Sequence, residues 1–586
     1  MRLGDLLVAA GEITEAELEQ ALALQKANGH KLGRILVEQG FVEEDALLGF
    51  LSTQLGIPFV DLANYELDHE LVTLLPETQS RRYRALVLAQ QEDGLLVGMA
   101  DPIDIFAYDE IARRLDQPVN VAVVRETDLM MLLDSAYRRT HEIEGLAHEL
   151  DGELSIDEFK FDSYQNDEDD TPVARLLQSI LKDAVQIRAS DVHIEPGEKV
   201  LRLRFRVDGV LQEQILPEVR IAAALISRLK LLAGLDISEK RLPQDGKFEH
   251  RLSDRSLDVR LSTLPTTFGE SLVMRLVDHA SAPKDLTQIG MADDLVKRFR
   301  KLVNRPNGLI LVTGPTGSGK TTTLYGALQE QNSETRKIIT VEDPVEIKLE
   351  RVNQVQVNPK IGLGFAQVLR SSLRQDPDVI LVGEIRDHET AEIALRAAMT
   401  GHVVLSTLHT NDAISSAIRL IDIGVPGYMV ASSVRGILAQ RLIRRVCEKC
   451  KAVTPPDAQE LEWLRGIGSA NAGEDFVRGA GCNHCNQTGY FGRVGVFELL
   501  EMSSALADAL RRNDSEAFAR LAVQQEGFTT LVEQALATAL AGVTSLAEVM
   551  SLSGHVEEVD EQTPEQLEDV LVAKHTKFEL QEDLRH

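Results

Sequence analysis

At 586 residues, 44% of them hydrophobic, the chain is long enough for about three to four separately packed domains. A net charge of −30 argues against nucleic acid as the main partner, because a phosphate backbone is met by clustered Lys and Arg. No apolar run approaches the ~18 residues of a membrane span. Asp5 and Glu12 break the first apolar stretch where a signal peptide needs continuity, and four cysteines in so long a chain make no disulfide framework, so a soluble cytosolic protein is expected.

The chain opens on a duplication. "RLGDLLVAAG" at Arg2 returns as "KLGRILVEQG" at Lys31, and aligning 2–25 on 31–54 leaves nine of 24 positions identical. They are Leu3/Leu32, Gly4/Gly33, Leu7/Leu36, Val8/Val37, Gly11/Gly40, Glu15/Glu44, Leu18/Leu47, Leu22/Leu51 and Gln25/Gln54. The apolar spacings are helical, Gly11 falls where a helix stops, and "TEAE" from Thr14 is a capping box. Each copy therefore reads as a short helix, a glycine turn and a second helix. Two copies are too few for a solenoid. They suit either a two-fold ligand, such as a cyclic dinucleotide with one half per copy, or a helical hairpin packing on itself. On the ligand reading Arg2 or Lys31 faces a phosphate or a guanine edge, Gly4 and Gly33 allow close backbone approach, and the leucines and Gln25 and Gln54 supply an apolar floor and amides.

Residues 85–125 alternate strand-like runs with a helix, a small α/β subdomain closing a first domain over 1–140. From 151 to 170 there are nine acidic residues and one lysine, which predicts a solvated linker over 141–172. An α+β unit follows over 173–280. The alternation of strands and helices over 290–500 predicts a parallel α/β sheet, and 501–586 reads as helical with an acidic tail.

The strongest motif is "GLILVTGPTGSGKTT". Gly314 to Thr321 fits the phosphate-binding GxxxxGK[ST] loop between an apolar strand and a helix. Gly314, Pro315, Thr316, Gly317, Ser318 and Gly319 are expected to wrap ATP phosphates with backbone N–H groups. Lys320 reaches the β- and γ-phosphates, and Thr321, with Thr322 beside it, holds Mg²⁺. Two apolar strands end in acids, "KIITVEDPVE" at Glu342 and "DPDVILVGEIRD" at Glu384. Such carboxylates hold Mg²⁺ or orient the attacking water. A third strand ends at His409, placed to sense the γ-phosphate.

The cysteines form two CxxC pairs, Cys447 with Cys450 and Cys482 with Cys485, a structural Zn²⁺ pattern that leaves no ligand position open. Redox dithiols or unmetallated thiols are the alternatives.

In order, GPTGSGKTT, ITVEDPVE, RQDPDVILVGEIRD and GHVVLSTLHTND resemble the secretion ATPases of type II secretion and type IV pilus assembly. Upstream, ASDVHIEP, RFRVDG, KRLPQDGK and DVRLSTLPTTFGESLVMR extend the resemblance over roughly 173–500. It implies a multidomain α/β protein: a helical and α+β N-terminal regulatory domain, a PAS-like α+β middle domain, a RecA-like ATPase domain carrying the zinc element at 447–485, and a helical C-terminal part. It implies a homo-hexamer, Glu342 polarising the attacking water, and Arg260 and Arg275 closing over the phosphates. It also implies a cytoplasmic engine working on an inner-membrane platform protein, with no nucleic acid involved. The tetracysteine element favours assembly or secretion over retraction.

The opening repeat, with its five-residue spacer Lys26 to His30, resembles the N-terminal c-di-GMP-binding domain of mannose-sensitive haemagglutinin pilus ATPases. That resemblance implies c-di-GMP contacts at Arg2, Leu3, Gly4, Leu7, Gly11, Leu18, Leu22 and Gln25, and at Lys31, Leu32, Gly33, Leu36, Gly40, Leu47, Leu51 and Gln54. Lys31 keeps the charge of Arg2 but not its planar fork. The reading is an ATPase powering type IV pilus extension under c-di-GMP control. The alternatives are a type II secretion ATPase, a DNA translocase, and a receptor with a vestigial ATPase.

Overall fold

The computed structural model describes residues 3–28, 32–62, 65, 71–72, 74–91, 93–136, 140–156, 171–251, 256–278 and 286–557. The chain divides into two compact units. Among the described residues no helix is long and apolar enough to cross a membrane.

One unit holds residues 1–150 with 169–187 and 480–489. Its repeat folds as two helix pairs, Leu3–Ala10 with Glu15–Asn28 and Leu32–Glu38 with Glu44–Leu55. The same turn closes the first helix of each copy. Gly11 and Gly40 stand at φ of 80° and 71°. The Gly11 N–H donates to the Val8 carbonyl at 3.1 Å and Glu12 N–H to Leu7 at 3.0 Å, while Gly40 donates to Val37 at 3.0 Å and Phe41 to Leu36 at 2.9 Å. These crossed bonds satisfy the last helix carbonyls and need a left-handed residue, which explains the paired glycines. Thr14 and Glu17 form the expected capping box: Glu17 N–H donates to Thr14 Oγ1 at 3.3 Å and Thr14 N–H to Glu17 Oε2 at 2.7 Å. The second copy has Glu43 there, with no side-chain cap. Leu7, Ile13, Ala21, Ile35, Leu36, Val42 and Leu47 form one small core.

The strands expected over 85–125 are β1 (Ala85–Gln91), β2 (Gly94–Met99) and β3 (Val119–Val123). β2 pairs antiparallel with β1 and parallel with β3. Apolar clusters cover both faces, so the strands read as near-continuous hydrophobic runs. The expected linker over 141–172 is corrected at its start. Thr140–Ile156 is a helix because Ile143, Ala147 and Leu150 recur at helical spacing and are buried despite the acidic composition. Residues 157–170 lie outside the described residues. The helix Pro172–Gln186 follows, its Thr171 cap accepting from Ala174 N–H at 3.3 Å.

The other unit contains two sheets that position the site. The six-stranded sheet is antiparallel, in the order β6 (Val210–Leu216), β5 (Leu201–Val207), β4 (Ala189–Pro196), β9 (Gly269–Asp278), β8 (Ser256–Thr266), β7 (Gln244–Arg251). Strands β4, β6 and β7 were not separately expected. The larger sheet has seven strands, in the order β12 (Val352–Gln356), β11 (Ile338–Glu342), β13 (Val379–Val382), β14 (Val403–Leu408), β10 (Gly308–Thr313), β15 (Val434–Val446), β18 (Tyr490–Glu501). All neighbours are parallel except β15 and β18, which are antiparallel. Strands β10, β11, β13 and β14 are buried throughout, as a sheet covered on both faces requires. β16 (Lys451–Thr454) and β17 (Phe476–Gly479) form a two-stranded ladder between the CxxC pairs. Helices Ser504–Arg511, Ser515–Val523, Leu531–Leu540 and Leu546–Glu557 supply the expected helical C-terminal part, and the acidic tail beyond 557 lies outside the described residues.

Candidate functional site

In an open parallel sheet, ligands bind beyond the carboxyl ends of the strands. Here β10 runs into the phosphate loop, β11 ends at Glu342, β13 leads to Glu384 and β14 leads to His409. The loop enters the helix Lys320–Gln331, whose N-terminal N–H groups form an anion site. Gly319 takes φ 87° as its N-cap, and Gly314 and Gly317 take 145° and 82°. At Gly314 there is also no room: a Cβ would stand 2.4 Å from the Gln440 carbonyl oxygen.

Lys320 is buried, and its Nζ donates to the carbonyls of Gly314 at 2.7 Å and Pro315 at 2.9 Å. Burial, reinforced by the Arg441 charge and opposed by Glu384, brings its pKa down from 10.5 to about 8. Thr321 and Thr322 are exposed on the first helical turn. Glu384 is mostly buried. One oxygen pairs with Arg386 Nη2 at 2.6 Å, and the other lies 3.5 Å from His409 Nε2, long for a hydrogen bond, with no nearer donor. A buried carboxylate oxygen in need of a partner, beside an exposed threonine hydroxyl and a lysine, fits Mg²⁺ and its water shell; Thr321 and Glu384 would hold the ion. Burial and the Lys320 charge lower the pKa of His409, against the pull of Glu384, so the imidazole is neutral at pH 7. Lys320, Glu384 and His409 therefore lie within electrostatic reach of one another.

Glu342 does not join them. Its strand is the third from β10, about 14 Å away at the usual spacing. Its carboxylate is buried and accepts from Tyr325 Oη and Thr340 Oγ1, with Gln354 Nε2 at 3.2 Å. The expectation that Glu342 polarises water is corrected in this conformation, where its buried carboxylate is held by three side-chain donors rather than turned to the loop. Asp343, the next residue, is exposed and near enough to Arg386 to help hold that guanidinium charged.

The two arginines are likewise held elsewhere. Arg260 and Arg275 are cross-strand neighbours on β8 and β9. Arg260 makes a bidentate pair with Glu346, Nη2 to Oε2 at 2.6 Å and Nη1 to Oε1 at 3.0 Å. Arg275 Nε donates to Asp191 Oδ1 at 3.0 Å, and its side chain is 58% exposed. Neither is closed on the phosphate loop here.

Sequence reading missed two residues of β15. Gln440 Nε2 donates to the Ser318 carbonyl at 2.7 Å, and its Oε1 accepts from Thr323 Oγ1 at 2.7 Å, bracing the loop from the next strand. Arg441 is buried beside it. The run "QRLIRR" advertises charge but not which face it takes.

The four cysteine sulfurs lie within 4.8 Å of one another, with Cys482 and Cys485 3.7 Å apart. Four thiolates at the Zn–S distance of about 2.3 Å stand about 3.8 Å apart at a tetrahedron's edges, so the donor set fits zinc. Cys447, Cys482 and Cys485 are buried and Cys450 is half-buried, which fits a structural ion.

In the repeat, Arg2 and Lys31 lie outside the described residues, and so do the side chains of Leu3, Gly33 and Leu51. Leu7 and Leu36 are fully buried and Leu47 nearly so, which makes them core and corrects their expected place on a ligand floor. Gly4 faces Leu18: a Cβ there would stand 2.3 Å from Leu18 Cδ1, so the glycine admits a leucine from the neighbouring helix. Leu18 and Leu32 are half-buried. Leu22 and Gln54 are exposed and Gln25 partly so, and these remain available to a ligand.

Comparison with known proteins agrees with these motifs. The family described as "Type II/IV secretion system protein" matches residues 166–551, and the "MshEN domain" matches 55–143. The type IV pilus assembly ATPase PilB of Myxococcus xanthus is 39% identical over 94% of this chain and 98% of its own. The type II secretion system protein E of Xanthomonas campestris is 38% identical over 94% and 98%. A solved structure described as MshE with cdg is 43% identical, covering 23% of this chain and 99% of that one, with a TM-score of 0.23.

Proposed function

Because the chain belongs to the type II/IV secretion system protein family, the pilus assembly and type II secretion ATPases, and carries an MshEN domain, we propose that it works as a hexamer that powers extension of a type IV pilus of the mannose-sensitive haemagglutinin class under c-di-GMP control. The chain is a P-loop ATPase, as its relatives are named. The observation that carries the finer reading is the doubled turn at Gly11 and Gly40, two equivalent backbone corners in one small domain next to the MshEN match. A ligand with two like halves suits two like corners. Leu22, Gln25 and Gln54, exposed or half-exposed, are the described contacts, with Arg2 and Lys31 as the charged ones.

In turnover, Lys320 leaves the carbonyls of Gly314 and Pro315 and meets the β- and γ-phosphates. Thr321 and Glu384 would hold Mg²⁺, which would supply positive charge against the phosphates. Glu384 accepts a hydrogen bond from the attacking water, and neutral His409 donates Nε2–H toward the γ-phosphate. Arg260 and Arg275 leave Glu346 and Asp191 to complete the charge cage, closing the middle domain on the ATPase domain. That closure transmits work to a membrane platform protein on the cytoplasmic side. Cys447, Cys450, Cys482 and Cys485 hold a structural zinc.

Calorimetric titration of c-di-GMP into the full-length protein tests the regulatory reading. Saturable binding at one dimer-like ligand per chain, lost in Gln25→Ala/Gln54→Ala, is the expected result. Absence of binding by the folded wild-type protein refutes it and leaves the type II secretion ATPase, which shares the engine, as the better assignment.

A further inference from the structure

The phosphate loop has a buried cation that the proposed chemistry does not use. Arg441 is 6% exposed on β15, and among the described residues it makes no ion pair. Its Nη1 stands 3.2 Å from where a Cβ of Gly314 would be. Its Nη2 donates to Asn411 Oδ1 at 3.1 Å and Nη1 to the Gln440 carbonyl at 3.3 Å. Asn411 belongs to the short segment between His409 and the helix Ala413–Asp422. The same segment is tied to the loop a second time through hydroxyls: Ser416 Oγ lies 3.1 Å from Thr313 Oγ1, the last residue of β10, and 2.5 Å from Thr410 Oγ1.

The first residue after this segment also meets a buried carboxyl, whose pKa burial and the neighbouring Asp412 push up to about 8. Glu498 on β18 is 3% exposed. One oxygen accepts Ala413 N–H at 2.7 Å, the first residue after the segment. The other accepts Leu531 N–H at 3.1 Å, the first residue of the helix Leu531–Leu540. Both helices already have their own caps, Asp412 and Thr530. Glu498 is thus not needed to start either helix. It fixes the two N-termini to one point, next to the residues that surround the phosphates.

We infer that Arg441 and Glu498 are positioning residues for hydrolysis. Arg441 holds the His409–Asp412 segment in register with the phosphate loop, and Glu498 carries any shift of that segment into the C-terminal helices. A buried guanidinium without a direct counter-ion is costly unless it is used. Its charge reaches Lys320, whose pKa it helps to lower, so anionic phosphates between the two would relieve both. The guanidinium fork can follow the loop and Asn411 together, which an ammonium cannot do. The inference rests on the reading of His409 as the γ-phosphate contact.

A double-mutant cycle on the full-length protein tests it, with steady-state ATPase and binding of a fluorescent ATP analogue measured for each variant. His409→Ala is expected to lower kcat. Arg441→Gln is expected to lower kcat by about tenfold or more while the analogue's Kd moves by less than about threefold, and the double variant should be no slower than the slower single one. If His409→Ala leaves kcat unchanged, the sensor reading fails. If it lowers kcat but Arg441→Gln multiplies the loss, or acts only on Kd, the role given to Arg441 fails. Arg441→Lys, which keeps the charge and loses the fork, replaces Arg441→Gln should the latter not fold, with the same expected pattern. For Glu498, hydrogen exchange of residues 531–540 should respond to the ATP analogue in the wild type and not in Glu498→Ala or Glu498→Gln. A wild type whose 531–540 amides ignore the nucleotide overturns that half.

Discussion

Glycine serves two different purposes in the phosphate loop and in the N-terminal repeat. Gly11 and Gly40 are demanded by backbone angle alone, since a Cβ at either would touch nothing within 4 Å. Gly314 and Gly319 are demanded by crowding as well: a Cβ would meet the Gln440 carbonyl at 2.4 Å in one and Gln440 Nε2 at 2.7 Å in the other. The repeat is closed by its own local hydrogen bonds. The phosphate loop is shaped from outside, by a residue over a hundred positions away in the chain. A motif built from local turns carries its instructions within it, while a motif pressed against a neighbouring strand depends on the whole sheet.

Substitution by alanine turns this contrast into a graded series. Gly314→Ala is expected to be the most damaging. Its Cβ must displace the backbone of Gln440, and an ångström of misplacement costs about a hundredfold in rate, so ATP turnover should fall by at least that much. Restored turnover in this variant would show that crowding is not what selects the residue. Gly317 shares the loop but not the crowding, with φ 82° and nothing within 4 Å. Gly317→Ala should therefore cost only the left-handed strain of about 1–2 kcal/mol, read as a modest rise in the Kd for ATP.

The next test compares charge. Lys320, held down to about 8, is largely protonated at pH 7 and largely neutral at pH 9. Phosphates favour its charged form, so ATP binding takes up a proton above pH 8. The apparent affinity should weaken as pH rises from about 8, approaching tenfold per unit, and the calorimetric enthalpy should depend on the buffer's ionisation heat. The repeat, whose described glycine turns contain no such group, offers the control. Smallest of all, Gly11→Ala and Gly40→Ala should each lower the stability of the N-terminal domain by about 1 kcal/mol, by closely similar amounts, in thermal or denaturant unfolding. A large inequality between them would break the equivalence of the two copies.

Much of this site was legible because its parts are local. The phosphate loop, the acid at Glu384 and the histidine at His409 each sit where a strand ends, and strand ends are visible as apolar runs that stop. The two CxxC pairs announce themselves by spacing. Other features were hidden for reasons that spacing does not carry. Helix Thr140–Ile156 looked like the start of a linker because its acidic surface outweighs three buried positions. Leu7 and Leu36 looked like candidates for a ligand surface because identity between copies does not tell core from contact. Glu342 sits at a strand end like Glu384, and only the strand order places it three ladders from the loop. The carboxylates that hold Arg260 and Arg275, Glu346 and Asp191, lie 86 and 84 positions away in the chain, so no local signature announces them. Gln440 and Arg441 lack a local signature, because what they touch is distant in the chain.

If Arg260 closes over the phosphates as proposed, its pairing with Glu346 also bears on how the enzyme meets its own product. Inorganic phosphate released by one turnover is an anion free to occupy Arg260 in the next. A carboxylate on the same chain competes at an effective concentration on the order of millimolar, however dilute the protein. Free phosphate must reach a comparable level before it displaces Glu346, whereas ATP arrives anchored by the loop and presents its γ-phosphate at an effective concentration of its own. On that proposal the tethered acid would screen out the spent anion and yield to the loaded one, favouring forward turnover where phosphate accumulates.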